Sequence, residues 1–213
     1  ISGAPSAIFV VVEGGQTNVK ICENNFTASN SAQVVAFGNS AGSAIIGGNV
    51  VGNSTSSGSF AFSASNGLYT TTINGNLSGS GAINLSTQLG AQTSIVQLKG
   101  NLSIPTGASL SVTSDTGTVV FSGTTGTQTL SIAGTLNTRV AFEVGDGTNA
   151  SEVQLINQNF SLTNALNKLT VNDKGILDFN NRDVTGAGIF ALNAGGELKI
   201  TSAQGINASG NNT

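Results

Sequence analysis

Apolar residues along this chain recur mainly at every second position, in runs of three to five residues separated by Gly, Asn, Asp and Thr. Successive side chains of a β-strand point to opposite faces, so this alternation predicts short strands with one buried face. Helical spacing is scarce, and 161–169 is the best candidate helix. The clearest predicted strands are Ile95–Leu98, Leu102–Ile104, Leu110–Val112, Val119–Phe121, Leu130–Ile132, Val140–Val144, Val153–Ile156, Leu169–Val171, Leu177–Phe179, Ile189–Leu192 and Leu198–Ile200.

Two short sequence patterns repeat along the chain. Val171–Phe179 is matched by Leu192–Ile200 at an offset of 21 residues, with Asn, Gly and Leu at corresponding positions. Gly75–Ser78 recurs as Gly100–Ser103 at an offset of 25. Periods of about 20–30 residues, built from short strands and Gly-Asn turns, indicate a solenoid in which each coil stacks on the one before.

The repeats favour an all-β fold, a right-handed parallel β-helix. At about 22 residues per coil the chain would form roughly nine or ten coils, with Asn side chains in amide ladders at the turns. The alternative is an antiparallel β-sandwich or barrel, because Asn66-Gly67, Asn74-Gly75 and Asp146-Gly147 are typical hairpin turns. We expect one domain over residues 1–213, as a segment of a longer chain or one subunit of an assembly.

Composition narrows the possible partners. Gly, Ser, Thr and Asn make up about half of the chain, charged residues are 8% and the formal net charge is −3. So few basic residues argue against nucleic-acid binding, and no apolar run is long enough for this segment to insert into a membrane. Many β-branched residues favour an ordered, secreted-like protein. The one cysteine, Cys22, is interpreted as a small buried side chain, with a reactive or intermolecular thiol as the alternative.

The residue types leave few routes to catalysis. The chain has no His and one Cys, which excludes His-based triads and structural Cys-zinc sites, and we expect no cofactor and no enzymatic activity. The densest acidic patch is Asp173, Asp178 and Asp183, which would act as acid and base or bind Ca²⁺ if the turns brought the three together. The competing interpretation is solvated strand and turn positions, with Asp178 facing outward.

The pattern Gly-x-Leu-x-apolar, seen in Gly175–Phe179 and Gly196–Ile200, resembles the passenger domains of bacterial autotransporters. Gly134–Asn137 has the same character. The Asn- and Thr-rich, Cys-poor composition is most similar to the large surface antigens of rickettsia-type bacteria, over about half of the chain. The resemblance implies a secreted right-handed β-helix on the outer cell surface, with a role in adhesion, host-cell contact or a surface coat.

Three functions follow as hypotheses. The first is a non-enzymatic extracellular adhesin or coat segment whose partner is a host-cell receptor. The second is a filament or surface-layer subunit that binds neighbouring copies of itself by β-strand addition. Its donor strand would be the apolar run Ile8, Phe9, Val10, Val11 and Val12. The third is a polysaccharide-degrading enzyme or phage tailspike built on a β-helix.

Overall fold

Strands dominate the structure, a computed structural model that describes residues 8–12, 19–21, 26–28, 33–37, 42–52, 67–85, 92–112 and 116–208. In chain order the strands are β1 (Ile8–Val12), β2 (Val19–Ile21), β3 (Phe26–Ala28), β4 (Gln33–Phe37), β5 (Gly42–Ile46), β6 (Val50–Gly52), β7 (Gly67–Ile73), β8 (Leu77–Ser78), β9 (Ala82–Asn84), β10 (Gln92–Leu98), β11 (Leu102–Ile104), β12 (Ser109–Ser111), β13 (Thr116–Phe121), β14 (Thr127–Ile132), β15 (Thr135–Leu136), β16 (Val140–Val144), β17 (Ser151–Leu155), β18 (Phe160–Leu162), β19 (Lys168–Val171), β20 (Gly175–Asp178), β21 (Val184–Gly186), β22 (Ile189–Leu192), β23 (Glu197–Lys199) and β24 (Ile206–Ala208).

The strands stack as a parallel β-helix. The first long sheet has eight strands in the order β2-β5-β7-β10-β13-β16-β19-β22, and the second long sheet has eight in the order β3-β6-β8-β11-β14-β17-β20-β23. The remaining strands take the third position of a coil, in the short sheets β1-β4, β9-β12-β15 and β18-β21-β24. In the coil of β5 and β6 that position falls outside the described residues. Every pairing among the described strands is parallel, for example between β10 and β13. The predicted β-helix is therefore confirmed and the antiparallel alternative is wrong.

The sequence repeats give the strand register. Val171 pairs with Leu192 and Leu177 with Leu198, as the 21-residue repeat requires. Leu77 pairs with Leu102, as the 25-residue repeat requires. The estimate of about 22 residues per coil is too short, because the register offset between paired strands of the long sheets ranges from 21 in β19–β22 to 28 in β11–β14. The estimate of nine or ten coils rested on that period, and each long sheet has eight described strands.

Inward-facing side chains form continuous apolar columns because strand alternation keeps the same phase in every coil. In β16 and β17 burial alternates residue by residue, with the inward positions buried. Phe121, Phe142, Phe160, Phe179 and Phe190 are all buried, as alternation predicts. The rings of Phe142 and Phe160 meet edge to face with centroids 5.2 Å apart, which joins the first long sheet to the third side across the core.

The candidate helix over 161–169 is wrong. Its first residues belong to β18 and its last to β19, and a turn closed by Asn167 separates them. Asn167 is fully buried and donates to the Asn137 carbonyl at 2.7 Å, so its amide serves the turn rather than a helix. In the part of the chain that is described, no helix is long and apolar enough to span a membrane.

Candidate interaction surface

A ladder of asparagines lines the corner where the first long sheet passes into the second. The Asn49 Oδ1 accepts the backbone N–H of Asn76 at 2.7 Å, and the Asn76 Oδ1 accepts that of Asn101 at 2.8 Å. The preceding residue must be small, because a Cβ on Gly100 would lie 2.4 Å from the Gly75 carbonyl oxygen. The repeated Gly-Asn pattern is therefore a turn device, and the predicted amide ladder is confirmed.

Two adjacent coils carry longer connections at this same corner. The corner takes three residues at 47–49, 74–76, 99–101 and 172–174. It widens to 122–126 between β13 and β14, the first corner loop, and to 145–150 between β16 and β17, the second corner loop. Insertions that fall on one side of neighbouring coils often mark the binding face of a solenoid. The two loops together are the corner surface.

A buried glutamine anchors the first corner loop. Gln128 is only 2% exposed, and its Nε2 donates to the carbonyl oxygens of Leu98, at 3.0 Å, and of Gly100. Its Oε1 accepts the Gly123 N–H at 2.8 Å and the Ser151 hydroxyl at 3.2 Å. One side chain thus connects three successive coils beneath the loop, which fixes the loop on a rigid base.

An aspartate organises the second corner loop. The Asp146 Oδ1 accepts the backbone N–H groups of Thr148 and Asn149, both at 2.8 Å, and its Oδ2 accepts from the Asn149 amide at 3.1 Å. Partial burial acts to raise the pKa of Asp146, but the bonds from Asn149 and Thr148 outweigh it and hold that pKa below its ordinary value. Lys174, from the next coil, donates to the Thr148 carbonyl at 2.9 Å and ties the loop to its neighbour.

The exposed side chains of the corner surface are neutral hydrogen-bonding groups. Thr124, Thr125 and Thr127 are exposed on the first loop and strand start, and Thr148 and Asn149 on the second loop. The charged groups nearby already hold the loop together. Such an arrangement suits recognition by many short-range hydrogen bonds on a fixed frame rather than acid–base chemistry.

The predicted acidic patch lies along one coil, but its three carboxylates serve different turns. Asp173 lies before β20, Asp178 ends it and Asp183 lies in the turn after it. Asp178 is half-buried between the buried Leu177 and Phe179, so its predicted outward orientation is confirmed. It accepts from the Gln154 amide at 2.9 Å and from the Asn180 backbone at 2.9 Å.

Asp183 holds the last turns of the third side. Its carboxylate accepts from the Ser202 hydroxyl at 2.6 Å, the Gly205 N–H at 3.0 Å and the Asn159 amide at 3.3 Å. Asp173 is exposed and lies against Gly195, where an added Cβ would clash with its carboxylate. Among the described residues, no group of three or more His, Cys, Asp or Glu side chains is placed to hold a metal ion.

The outward face of the second long sheet carries an ion pair beside Asp178. Lys199 Nζ lies 3.0 Å from Glu152 Oε2, two coils away, and Glu197 is exposed on the same strand as Lys199. The hydrogen bond to Glu152 raises the pKa of Lys199, and the carboxylates of Glu152, Asp178 and Glu197 raise it further. The pair is exposed to solvent and stabilises the face only weakly.

No protein-family model, curated protein or solved structure matches the chain. The resemblance to autotransporter passenger domains therefore stays a prediction from the sequence.

Two further sequence predictions concern the N-terminal part. The apolar run Ile8–Val12 forms β1, which pairs in parallel with β4 of its own chain, with Val10 opposite Val35. Cys22 lies outside the described residues.

The sequence patterns did not predict Gln128 or the corner loops as functional features. Gln128, Leu130 and Ile132 occupy alternate positions of β14 and face the core. This alternation is the sequence feature that could have predicted a buried amide at position 128.

Proposed function

We propose that the protein is a non-enzymatic extracellular surface protein, an adhesin or cell-surface coat segment, and that the corner surface makes the contact with its partner. The observation that supports this most is the pair of loops inserted at one corner of adjacent coils, over a base held by Gln128. Inserted loops on a rigid solenoid are a common means of building a recognition surface.

The β-helix suits this role because its rigidity needs neither metal nor disulfide. Each internal strand of the long sheets pairs on both edges with strands one coil away. Apolar columns fill the interior from Ala44 to Phe190. The chain has a single cysteine, so an intramolecular disulfide is impossible, and packing with ladder hydrogen bonds supplies the stability. Loops on such a frame lose little conformational entropy when they bind.

The chemistry of the corner surface defines the kind of contact. Thr and Asn side chains bind through hydrogen bonds of short range, and the net charge of −3 gives little long-range attraction. Binding is therefore expected to depend weakly on salt, unlike binding by a basic patch to an acidic surface. A host-cell surface receptor that offers hydroxyl and amide groups is the partner that this chemistry fits.

The test is binding of the labelled chain to cultured mammalian cells, measured by flow cytometry at low and high ionic strength. Thr125→Arg places a bulky cation on the first corner loop and is expected to reduce binding at least tenfold. Thr106→Arg is the matched control, because Thr106 is also exposed but lies in the turn between β11 and β12. Equal binding by the two variants contradicts the proposal.

The enzyme hypothesis has its own readout. The chain is incubated with a panel of bacterial and host polysaccharides, and the products are separated by size. We expect no shortening of any of them. Degradation that is lost in Asp178→Ala would replace the adhesin proposal with a β-helical polysaccharide-degrading enzyme.

A further inference from the structure

The outward side of the first long sheet is poor in charge and rich in apolar and threonine side chains. We call it the first face: the outward positions of β5, β7, β10, β13, β16, β19 and β22, with the residues at the edge where each coil enters the sheet. Its described positions carry three charged residues, Arg139, Glu143 and Lys168, whereas β17, β20 and β23 of the second long sheet alone carry four. β-Branched and apolar residues fit a half-buried pleated surface, so the first face has the composition of a packing surface.

Two strongly exposed leucines lie at one edge of the first face. Leu68 is 50% exposed and Leu166 57% exposed. Leu68 pairs with Thr93 and Thr93 with Thr116, and the register continued two residues before the paired positions of β16 and β19 reaches Arg139 and Leu166. Thr116 therefore lies midway, two coils from each leucine, and the two leucines are about 19 Å apart at about 4.8 Å per coil.

The other apolar positions of the first face are also arranged evenly about β13. In the sheet, β10 and β16 lie one coil from β13, β7 and β19 two coils, and β5 and β22 three coils. At equal distances from β13 the register gives three apolar pairs: Leu68 and Leu166, Ile95 and Ala141, and Ile45 and Ala191. Ile189 is the exception, because Ser43 holds the corresponding position. A twofold axis along β13 would therefore place apolar side chains of one copy on those of another.

The charged side chains of the first face fit the same symmetry. Glu143 would face Gln97 of a second copy, and Lys168 and Arg139 would each face a threonine, so no like charges meet in the described part of the face. The Gln97 Oε1 accepts the Thr72 hydroxyl at 3.2 Å, which leaves the Gln97 Nε2 to donate to the Glu143 carboxylate. Like charges placed opposite each other oppose association, and this arrangement avoids them.

The size of the first face is sufficient for a reversible dimer. Seven strands about 4.8 Å apart, each with five residues at about 3.3 Å, cover roughly 550 Å² per copy and about 1,100 Å² in two copies together. Specific interfaces need about 1,000 Å² or more. Thr118 and Val120 are only 8% and 6% exposed, so the centre of the face adds little. Most of the apolar burial would come from the two places where Leu68 meets Leu166.

We propose that two copies of the chain pack face to face through the first face, about a twofold axis that runs along β13, with their stacks antiparallel. The same surface is used by both copies, so the contact closes as a dimer and does not grow into a filament. Because the axis runs along the strands, both corner surfaces lie at one edge of the dimer. The contact uses neither corner loop, so the proposal is independent of the proposed adhesin function.

The first test measures assembly of the full chain by sedimentation velocity over a range of concentrations. The native chain is expected to form dimers, and Leu166→Asp, which acts twice in a twofold contact, to need at least a tenfold higher concentration. Ile200→Asp is the matched control, because Ile200 is 47% exposed but follows β23, outside the first face. A native chain that stays monomeric at every concentration overturns the proposal, and so does a Leu166→Asp variant that dimerises like the native chain.

Charge substitutions test the register. Gln97→Glu places a carboxylate opposite Glu143 of the second copy and is expected to weaken the dimer at least fivefold, whereas Gln97→Lys should strengthen it. Within one chain, positions 97 and 143 lie two coils apart, about 10 Å, so circular dichroism should show both variants folded. Glu143→Gln added to Gln97→Glu should restore the native affinity. Equal dimerisation of the Gln97→Glu and Gln97→Lys variants would refute the stated register.

Cross-linking tests the position of the axis. Thr116 is exposed at the start of β13, so a twofold axis along this strand brings position 116 of one copy opposite position 116 of the other. In a Cys22→Ser background, Thr116→Cys is expected to give cross-linked dimers with a short bismaleimide, and no larger species. Thr135→Cys is the control, because Thr135 is exposed on β15, on the third side of the coil, and should give no dimer.

The cross-linking outcomes also separate other contacts from the proposed one. A Thr116→Cys variant that dimerises in solution but does not cross-link would mean that the copies meet elsewhere, which overturns the proposal. Equal cross-linking through Thr135→Cys would do the same. Thr125→Arg, on the first corner loop, should dimerise like the native chain, and cell binding is measured on the same proteins. Failure of dimerisation and failure of adhesion are therefore read independently.

Discussion

Gln128 offers the sharpest test of how the corner surface is held. Gln128→Leu keeps the approximate size of the side chain and removes all of its hydrogen bonds. The four partners are the carbonyls of Leu98 and Gly100, the N–H of Gly123 and the hydroxyl of Ser151. The loss in free energy of unfolding depends on which of these four groups has another hydrogen-bond partner.

Two of the partners keep a bond. The Leu98 carbonyl still accepts a backbone N–H at 3.0 Å, and the Ser151 hydroxyl still has a carbonyl at 3.2 Å. Gly100 is partly exposed, so water can reach its carbonyl. The Gly123 N–H is buried and loses the Gln128 Oε1 as its acceptor. An orphaned buried donor costs about 1–3 kcal/mol, and each lost bond about 1 kcal/mol. After the gain from leucine burial, we expect the free energy of unfolding to fall by about 2–3 kcal/mol.

The assay is urea unfolding followed by circular dichroism, together with amide hydrogen exchange at Gly123. Gln154→Leu is the matched control, because Gln154 is half-buried on the outward face and its amide donates to Asp178. It should change the free energy of unfolding by less than about 1 kcal/mol. If Gln128→Leu unfolds at the native urea concentration and Gly123 stays protected, the buried amide does not anchor the loop.

Three further predictions concern single side chains. Thr71→Val should raise the free energy of unfolding by about 1 kcal/mol, because the Thr71 hydroxyl is fully buried without a hydrogen-bond partner. Thr72→Val is the control: it removes a hydroxyl that is bonded to Gln97 and should not stabilise the fold. Asn101→Ala should lower the denaturant midpoint by an amount worth about 1 kcal/mol, since it removes the acceptor of the Thr129 N–H, and an unchanged midpoint would contradict the ladder. The pKa of Asp146 is lowered, so the ionised carboxylate stabilises the second corner loop fully at pH values above the ordinary carboxyl pKa. That stabilisation is lost as the pH falls through the lowered pKa. Amide exchange at Thr148 should therefore speed up beyond the intrinsic pH trend only in acid, and Asp146→Asn should remove that change.

The sequence predicts the coil framework because register depends on inward side chains. Leu77 and Leu102 occupy corresponding places in two copies of one pattern, and apolar packing fixes them one above the other. The period could not be predicted in the same way. Coil length depends on every connection between strands: β5 to β7 spans 27 residues with a three-residue corner, and β13 to β16 spans 23 with a five-residue corner. These connections leave the inward phase unchanged. A 21-residue repeat at the end of the chain therefore gave a period that is too short for the middle.

The candidate site was harder to predict than the fold. Asp173 and Asp183 are ten positions apart in sequence, and β20 lies between them, so turn geometry decides whether their side chains meet. In the structure Asp183 holds its own turn through Ser202 and Gly205. The corner surface has no distinctive residue type, since Thr and Asn occur all along the chain. It stands out only when the lengths of successive corners are compared.

Each coil packs mainly against the two coils beside it, so the number of coils in the stack can change without altering the fold of the others. A segment such as 151–174, from one strand of the second long sheet to the residue before its partner Gly175, carries a full turn of the backbone. Removing or duplicating such a unit keeps the parallel pairing of strands and the inward phase of the remaining coils. β-Helices of very different length can therefore arise by duplication of whole coils, with the same packing of side chains in the core.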